Sequence, residues 1–310
     1  MTEMNQPIHS AAMLTWIVKL RGFFLFVFFA TMAIPLAEGG TVAPDALQQR
    51  LSSIGQRCGG RVGIAAVHVE SGWTVAVSGD QIFPLYSVVK LPLAVAVLKD
   101  VEVGKLKLDQ GVEVRAADVV PGSPGNSERW EKTPMRTNIR DLLEYSLVDS
   151  DNTSCDKLLE LIGGPVALTR RIHALGFTNF QAATTMKEME RYRVHPNTGS
   201  PEELVQFMCA LQRENVLKAT ERAVLFDMMG RANTGAKRLR AGVPSGTAVL
   251  HKTGTGENAV NDVGLITLDH NRGHFAIAVL ITNSKLPFAE QEHAVADISS
   301  AVYETWIKIK

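Results

Sequence analysis

The chain has 310 residues, 45% of them apolar and 21% charged, which excludes a mainly disordered protein and fits one large domain or two. Thirty-two basic residues balance 32 acidic ones, so the charge footprint of a nucleic-acid binder is missing. Three cysteines are too few for a disulfide scaffold and too widely spaced for a zinc site, and the eight histidines show no metal-ligand spacing.

Five of the twelve phenylalanines fall between Phe23 and Phe29, inside an apolar run from Gly22 to Ala37. Lys19 and Arg21 precede the run, and Glu38-Gly39-Gly40 follows it. A basic flank, an apolar stretch and then small residues read as a secretory leader over residues 1–37, although Pro35 makes the cleavage motif imperfect. The run falls short of the roughly 20 residues that span a bilayer comfortably. The reading predicts export to the periplasm or the exterior, with a membrane anchor if the leader is not cleaved.

The remainder, 38–310, changes pattern along its length. Residues 44–57 suit a helix, with Leu47, Leu51 and Ile54 spaced three to four apart. Arg61–Val69 and Trp73–Val77 flank Glu70-Ser71-Gly72 and read as a hairpin. From about 85 to 232 the signals are mostly helical; Ser200-Pro201-Glu202-Glu203 combines a capping box with proline at the first helical position. Strands return at Ala248–Thr253, Val263–Leu268 and His274–Thr282, and a last helix carries the stripe Val295, Ile298, Val302, Trp306 and Ile309. The order predicts an α+β fold: an antiparallel sheet flanked by N- and C-terminal helices, with an all-helical subdomain inserted between its strands. The sheet subdomain takes 38–85 plus 235–310 and the helical one 86–234, with the site at their junction.

Three short motifs carry chemistry. Tyr86-Ser87-Val88-Val89-Lys90 opens the continuous apolar segment Leu91–Leu98, which reads as a helix buried on all faces. Ser87 and Lys90, three apart, share one face of a helix start, and a lysine in so apolar a place loses its proton readily and activates the serine. Spacing alone is weak: Ser154-Cys155-Asp156-Lys157 repeats it, and roughly one such match is expected in a chain of this length. Ser150-Asp151-Asn152 starts a helical stretch, Thr153–Leu161, and by itself reads equally as a cap. Lys252-Thr253-Gly254 ends a strand of the returning sheet.

Taken in this order, the three motifs resemble those of the penicillin-recognising serine enzymes, which comprise class A β-lactamases and penicillin-binding peptidases. The likeness runs over essentially all of 44–310, and Ser87-Val88-Val89-Lys90-Leu91-Pro92-Leu93-Ala94 is most similar to the extended-spectrum branch of class A common in Bacteroidetes. The resemblance implies a β-lactamase/transpeptidase-like fold and a β-lactam, or a small substrate like a peptidoglycan stem peptide, bound by a monomer without cofactor or metal. It implies Ser87 as nucleophile, Lys90 as proton relay, and Ser150 with Lys252 as proton source for the leaving nitrogen. Asn152 would hold the substrate amide, and Lys252, Thr253, Gly254 and Thr255 its carboxylate side, with the backbone N–H groups of Ser87 and Thr255 as oxyanion hole.

Two positions depart from that family's pattern. Counting without a gap from Gly176, Met186 occupies the place of the glutamate that activates the hydrolytic water. A methionine takes no proton, so deacylation is expected to be slow unless Glu190, one helical turn on, or Glu188, through a shifted loop, replaces it. Val263 stands where many members carry an arginine on the neighbouring strand. Three functions therefore compete: a β-lactamase with altered turnover, a D-alanyl-D-alanine peptidase, and a non-hydrolytic β-lactam binder.

Overall fold

The computed structural model describes residues 45–121 and 128–308. The expected leader, 1–37, lies outside the described residues.

Helix α1 (Asp45–Arg57) buries Leu47, Leu51 and Ile54, as their spacing predicts. Strands β1 (Arg61–His68) and β2 (Thr74–Val77) form the expected hairpin, and a short β3 (Phe83–Pro84) follows. A 3-10 turn at Tyr86–Val89 leads into α2 (Lys90–Glu102). The middle of the chain is less purely helical than its pattern suggests: β4 (Gly111–Val114) pairs with β5 (Met135–Asn138) before α3 (Ile139–Val148), α4 (Asn152–Leu161) and α5 (Gly164–Ala174). Next come α6 (Met186–Tyr192), β6 (Thr198–Gly199), which pairs with β3, then α7 (Pro201–Gln212) and α8 (Ala219–Gly230). The chain closes with β7 (Val249–Gly256), β8 (Ala259–Thr267), β9 (His274–Thr282) and α9 (Phe288–Trp306).

The main sheet is antiparallel throughout, in the order β2-β1-β9-β8-β7. Its central strand shows why the pattern there is a continuous apolar run. Phe275, Ile277, Val279 and Ile281 face α1 and α9, whereas Ala276, Ala278 and Leu280 face the helical part. Both faces are covered, so alternation disappears from the sequence.

Strand β8 starts at Ala259, four residues before the expected Val263, because Asn261 and Asp262 look like turn residues. Both are buried and bonded. The Asn261 amide donates to the Pro84 carbonyl at 2.8 Å, and the Asp262 carboxylate meets His251 Nδ1 at 2.9 Å. Among the described residues no helix is long and apolar enough to cross a membrane. The three cysteines are buried free thiols.

Adjacent residues on β9 report on separate layers. Leu280→Ala and Ile281→Ala should each lower stability by about 2–5 kcal/mol in urea unfolding. A loss below about 1 kcal/mol for either would contradict a sheet packed on both faces.

Candidate active site

Ser87 lies one step earlier than the helical pattern implies, on the 3-10 turn rather than in the first turn of α2. Its position is set from below by α2, of which Leu91 through Leu98 are all buried, and from the side by β7. Two glycines make that side approach possible. A Cβ on Gly254 would come within 2.4 Å of the Leu85 carbonyl oxygen, and one on Gly256 within 2.0 Å of the Tyr86 ring. Asn261 of β8 holds the same turn through the Pro84 carbonyl, and Tyr86 takes a left-handed φ of 50° directly before Ser87.

The Lys90 ammonium is entirely buried. Its Nζ donates to Ser87 Oγ at 2.9 Å, to the Ser150 carbonyl at 2.6 Å and to Asn152 Oδ1 at 2.6 Å, with Ser150 Oγ at 3.3 Å. Burial holds Lys90 below the ordinary lysine value, and the Cys155 thiol and the Asp151, Asp156 and Glu190 carboxylates oppose that shift. Cys155 itself is pushed up to about 12 by burial, with the charge of Lys90 acting against that shift. Lys252, also entirely buried, donates to the same Ser150 Oγ at 3.0 Å. Burial and then the charge of Lys90 hold Lys252 well below its ordinary value. One serine hydroxyl thus sits between two lysines.

Ser150 reaches this place by a left-handed turn, φ 59°, just before α4. Asp151 supplies the cap that both readings of the motif require: its carboxylate accepts from Ser154 N at 2.6 Å and from Trp130 Nε1 at 3.2 Å. The second Ser-x-x-Lys match comes apart in space. Lys157 pairs with Glu160 at 2.7 Å and Asp118 at 3.2 Å, and the buried Ser154 hydroxyl has no partner among the described residues.

On β7, Thr253 Oγ1 meets Thr234 Oγ1 at 2.7 Å, and Thr255 Oγ1 accepts from Arg238 Nη2 at 2.8 Å. Arg238 is buried, donates also to the Gly254 and Asn261 carbonyls, and is paired with Glu292 at 3.1 Å. Val263 lies opposite Lys252 in the β7–β8 register, deep in the core, so the guanidinium on this side of the site comes from Arg238. No periodicity or motif marks Arg238; it is one of several basic residues in a polar stretch before β7.

The segment around Met186 is a helix, not a loop. Thr185 caps α6 in a capping box with Glu188, whose carboxylate accepts from Thr184 Oγ1 at 2.8 Å and Thr185 N at 3.0 Å. These bonds hold Glu188 below its ordinary value. Asp156 of α4 clamps the same helix start, taking Met186 N at 2.7 Å and Lys187 N at 2.9 Å. Burial nevertheless pushes the Asp156 carboxyl up to about 6.

Ser87, Ser150, Asn152, Thr253 and Thr255 share one cavity of about 360 Å³, with Met186, Glu190 and His195 on its opposite wall. Lys90, Lys252 and Gly254 stand behind this lining, and Glu188 does not face the cavity. Sequence reasoning gave no role to Arg238, Asp156, Tyr86 or His195; Tyr86 and Asp156 stand inside the two Ser-x-x-Lys stretches, and Arg238 and His195 belong to no motif.

A sequence model of the β-lactamase enzyme family matches residues 46–306, from α1 to α9. The extended-spectrum β-lactamase PER-1 of Pseudomonas aeruginosa is 30% identical over 271 residues, covering 84% of this chain and 88% of its own. Among solved structures, a β-lactamase from Chitinophaga pinensis DSM 2588 has a TM-score of 0.80 at 30% identity, covering 84% of this chain and 98% of that one. The class A β-lactamase of the last common ancestor of Gram-negative bacteria (GNCA4) has a TM-score of 0.77 at 32% identity, covering 84% and 98%. The chain belongs to the class A β-lactamase family.

Asp156 makes the fold sensitive to pH with a definite sign. Its carboxyl titrates near 6 when folded, against 3.8 when free, so the folded state binds the extra proton between these values. Its contribution to stability therefore falls as pH rises from 3.8 to 6. Asp156→Asn should remove that slope, read as the difference in Tm between variant and wild type across this range; parallel curves would refute it. Asp156→Ala, which frees the part-buried Met186 N–H and leaves the exposed Lys187 N–H to solvent, should cost about 1–3 kcal/mol for the first group alone.

Proposed function

We propose that this protein hydrolyses the β-lactam amide through an acyl-enzyme on Ser87, with its deacylation base moved from position 186 to Glu190. The observation that carries the acylation half is the Lys90–Ser87 contact of 2.9 Å at a fully buried lysine with a lowered pKa. A neutral Lys90 keeps two donors for the Ser150 carbonyl and Asn152 Oδ1 and turns its lone pair to the Ser87 hydroxyl. Ser87 Oγ then attacks the lactam carbonyl while its proton passes to Lys90. The C–N bond breaks as Ser150 Oγ gives its proton to the leaving nitrogen, and Lys90 or Lys252 replaces that proton. Asn152 faces the substrate amide. Thr253 and Thr255, backed by Arg238, face its carboxylate, and backbone N–H groups of Ser87 and Thr255 receive the oxyanion.

Deacylation needs a base that position 186 does not offer. Met186 is a buried thioether, and loss of a positioned base costs roughly 10²–10⁴-fold. Glu188 is taken up in capping α6, whereas Glu190 lines the cavity with Ser87 and its charge acts on Lys90. Helical spacing supports this choice: residues 186 and 190 lie one turn apart on α6. We also read residues 1–37 as an export leader and the enzyme as a monomer acting outside the cytoplasm.

A chromogenic cephalosporin assay on the purified protein tests the proposal. Sustained turnover is expected; a stoichiometric burst followed by a stall would refute hydrolysis and leave a peptidase or a non-hydrolytic binder. Ser87→Ala should abolish covalent labelling by penicillin, and persistent labelling would mean another nucleophile. Glu190→Gln should slow deacylation by about 10²-fold or more while the acylation burst survives. Unchanged turnover in that variant would remove Glu190 as the base.

A further inference from the structure

With Glu190 as base, one titratable side chain on the same wall has no task. Arg193 ends α6 in a left-handed conformation, φ 54°, and turns the chain back along the helix it has just left. Asn197 anchors the return by accepting from Ala183 N at 2.8 Å and Thr184 N at 3.1 Å. The reversal lays the His195 imidazole on the Tyr86 ring, with centroids 4.5 Å apart and planes tilted by 46°. Tyr86 directly precedes Ser87, and His195, Glu190 and Ser87 line one cavity. Among the described residues neither the imidazole nor the Glu190 carboxylate is committed to a hydrogen bond with another group. The carboxylate acts on Lys90 at one side and on His195 at the other.

We propose that His195 is the partner of Glu190 in deacylation, holding the proton taken from water while the tetrahedral intermediate lasts. The proposal rests on the reading of Glu190 as base. Water oxygen bonds to the acyl carbon, and the carbonyl pair moves to oxygen. The water proton goes to Glu190 and on, across a second water of the shared cavity, to a neutral imidazole nitrogen, imidazolium being a weaker acid than a carboxylic acid. On collapse the C–Oγ bond breaks, and its electron pair stays on Ser87 Oγ. The proton returns through Glu190 and Lys90 to that oxygen. The freed carboxylic acid loses its own proton to solvent, so the enzyme ends as it began.

The surroundings keep the imidazole ready for this. Burial against Tyr86 holds His195 below the ordinary 6.5, with Arg193 acting in the same direction and Glu190 against it. Glu257, from the turn after β7, lines the same cavity, and its charge acts on Tyr86. His195 is therefore neutral, and able to accept, at neutral pH.

The test follows deacylation of a preformed penicilloyl-enzyme across pH, using the full chain with the acylation burst as folding control. In wild type the rate should fall as pH drops through the imidazole range. His195→Gln should deacylate at least about tenfold more slowly, with the acid limb in the imidazole range lost. Free imidazole should restore part of the rate to His195→Ala, which a packing role would not allow. An unchanged rate and limb in His195→Gln, with Glu190→Gln stalled, would overturn this proposal and leave Glu190 as base. A slow His195→Gln beside a normal Glu190→Gln would overturn both the base and the relay through it.

Discussion

Two lysine side chains without solvent exposure point at one serine hydroxyl, and most of the surrounding architecture answers that arrangement. A buried ammonium is costly unless it is bonded or loses its proton, and two within reach of one oxygen repel each other as well. Lys90 meets the first requirement with a carbonyl and an amide oxygen at 2.6 Å each, which only the turn at Ser150-Asp151-Asn152 presents. That turn needs Ser150 at positive φ, a local strain of about 1–2 kcal/mol, and Asp151 capping α4 holds it there. The apolar α2 below supplies the low dielectric, and Gly254 lets β7 bring Lys252 close to the nucleophile turn. Helix, turn and strand come from distant parts of the chain. None forms the pair alone.

The opposite wall follows a different logic. Position 186, where the family resemblance leads one to look for a carboxylate, holds a methionine in the core, and the helix start there is fixed from two sides by Asp156 and by the Thr185–Glu188 box. A glutamate used as a cap is spent as a base. Glu190 and His195, placed by the helix and by the chain reversal after it, are the groups of that wall that remain chemically open.

What the sequence revealed, and what it hid, divides along the same line. Ser87, Lys90, Ser150, Asn152 and Lys252 were legible as candidates because three short motifs follow one another in one order, although the contacts that join them, such as Lys252 to Ser150, run between distant parts of the chain. The flanking helices and β9 were legible from periodicity or from its absence. Arg238, Asp156 and His195 were not, because each acts across a fold contact rather than along the chain. The early start of β8 was hidden because Asn261 and Asp262 resemble turn residues until their buried partners, Pro84 and His251, are known.

The position of β7 in the sheet order carries a last consequence. It is the terminal strand, paired to β8 on one side, with the serine turn standing against the other. An open strand edge is ordinarily a hazard, since its unpaired N–H and C=O groups invite any extended chain to add itself. Here that invitation is selective. Gly254 and Gly256 let the serine turn stand close against that edge, so an extended chain arriving from a neighbouring protein meets Leu85 and Tyr86 there. Under the proposed function, the substrate, with its own carbonyl and amide, takes up the place along β7 that a further strand would otherwise fill.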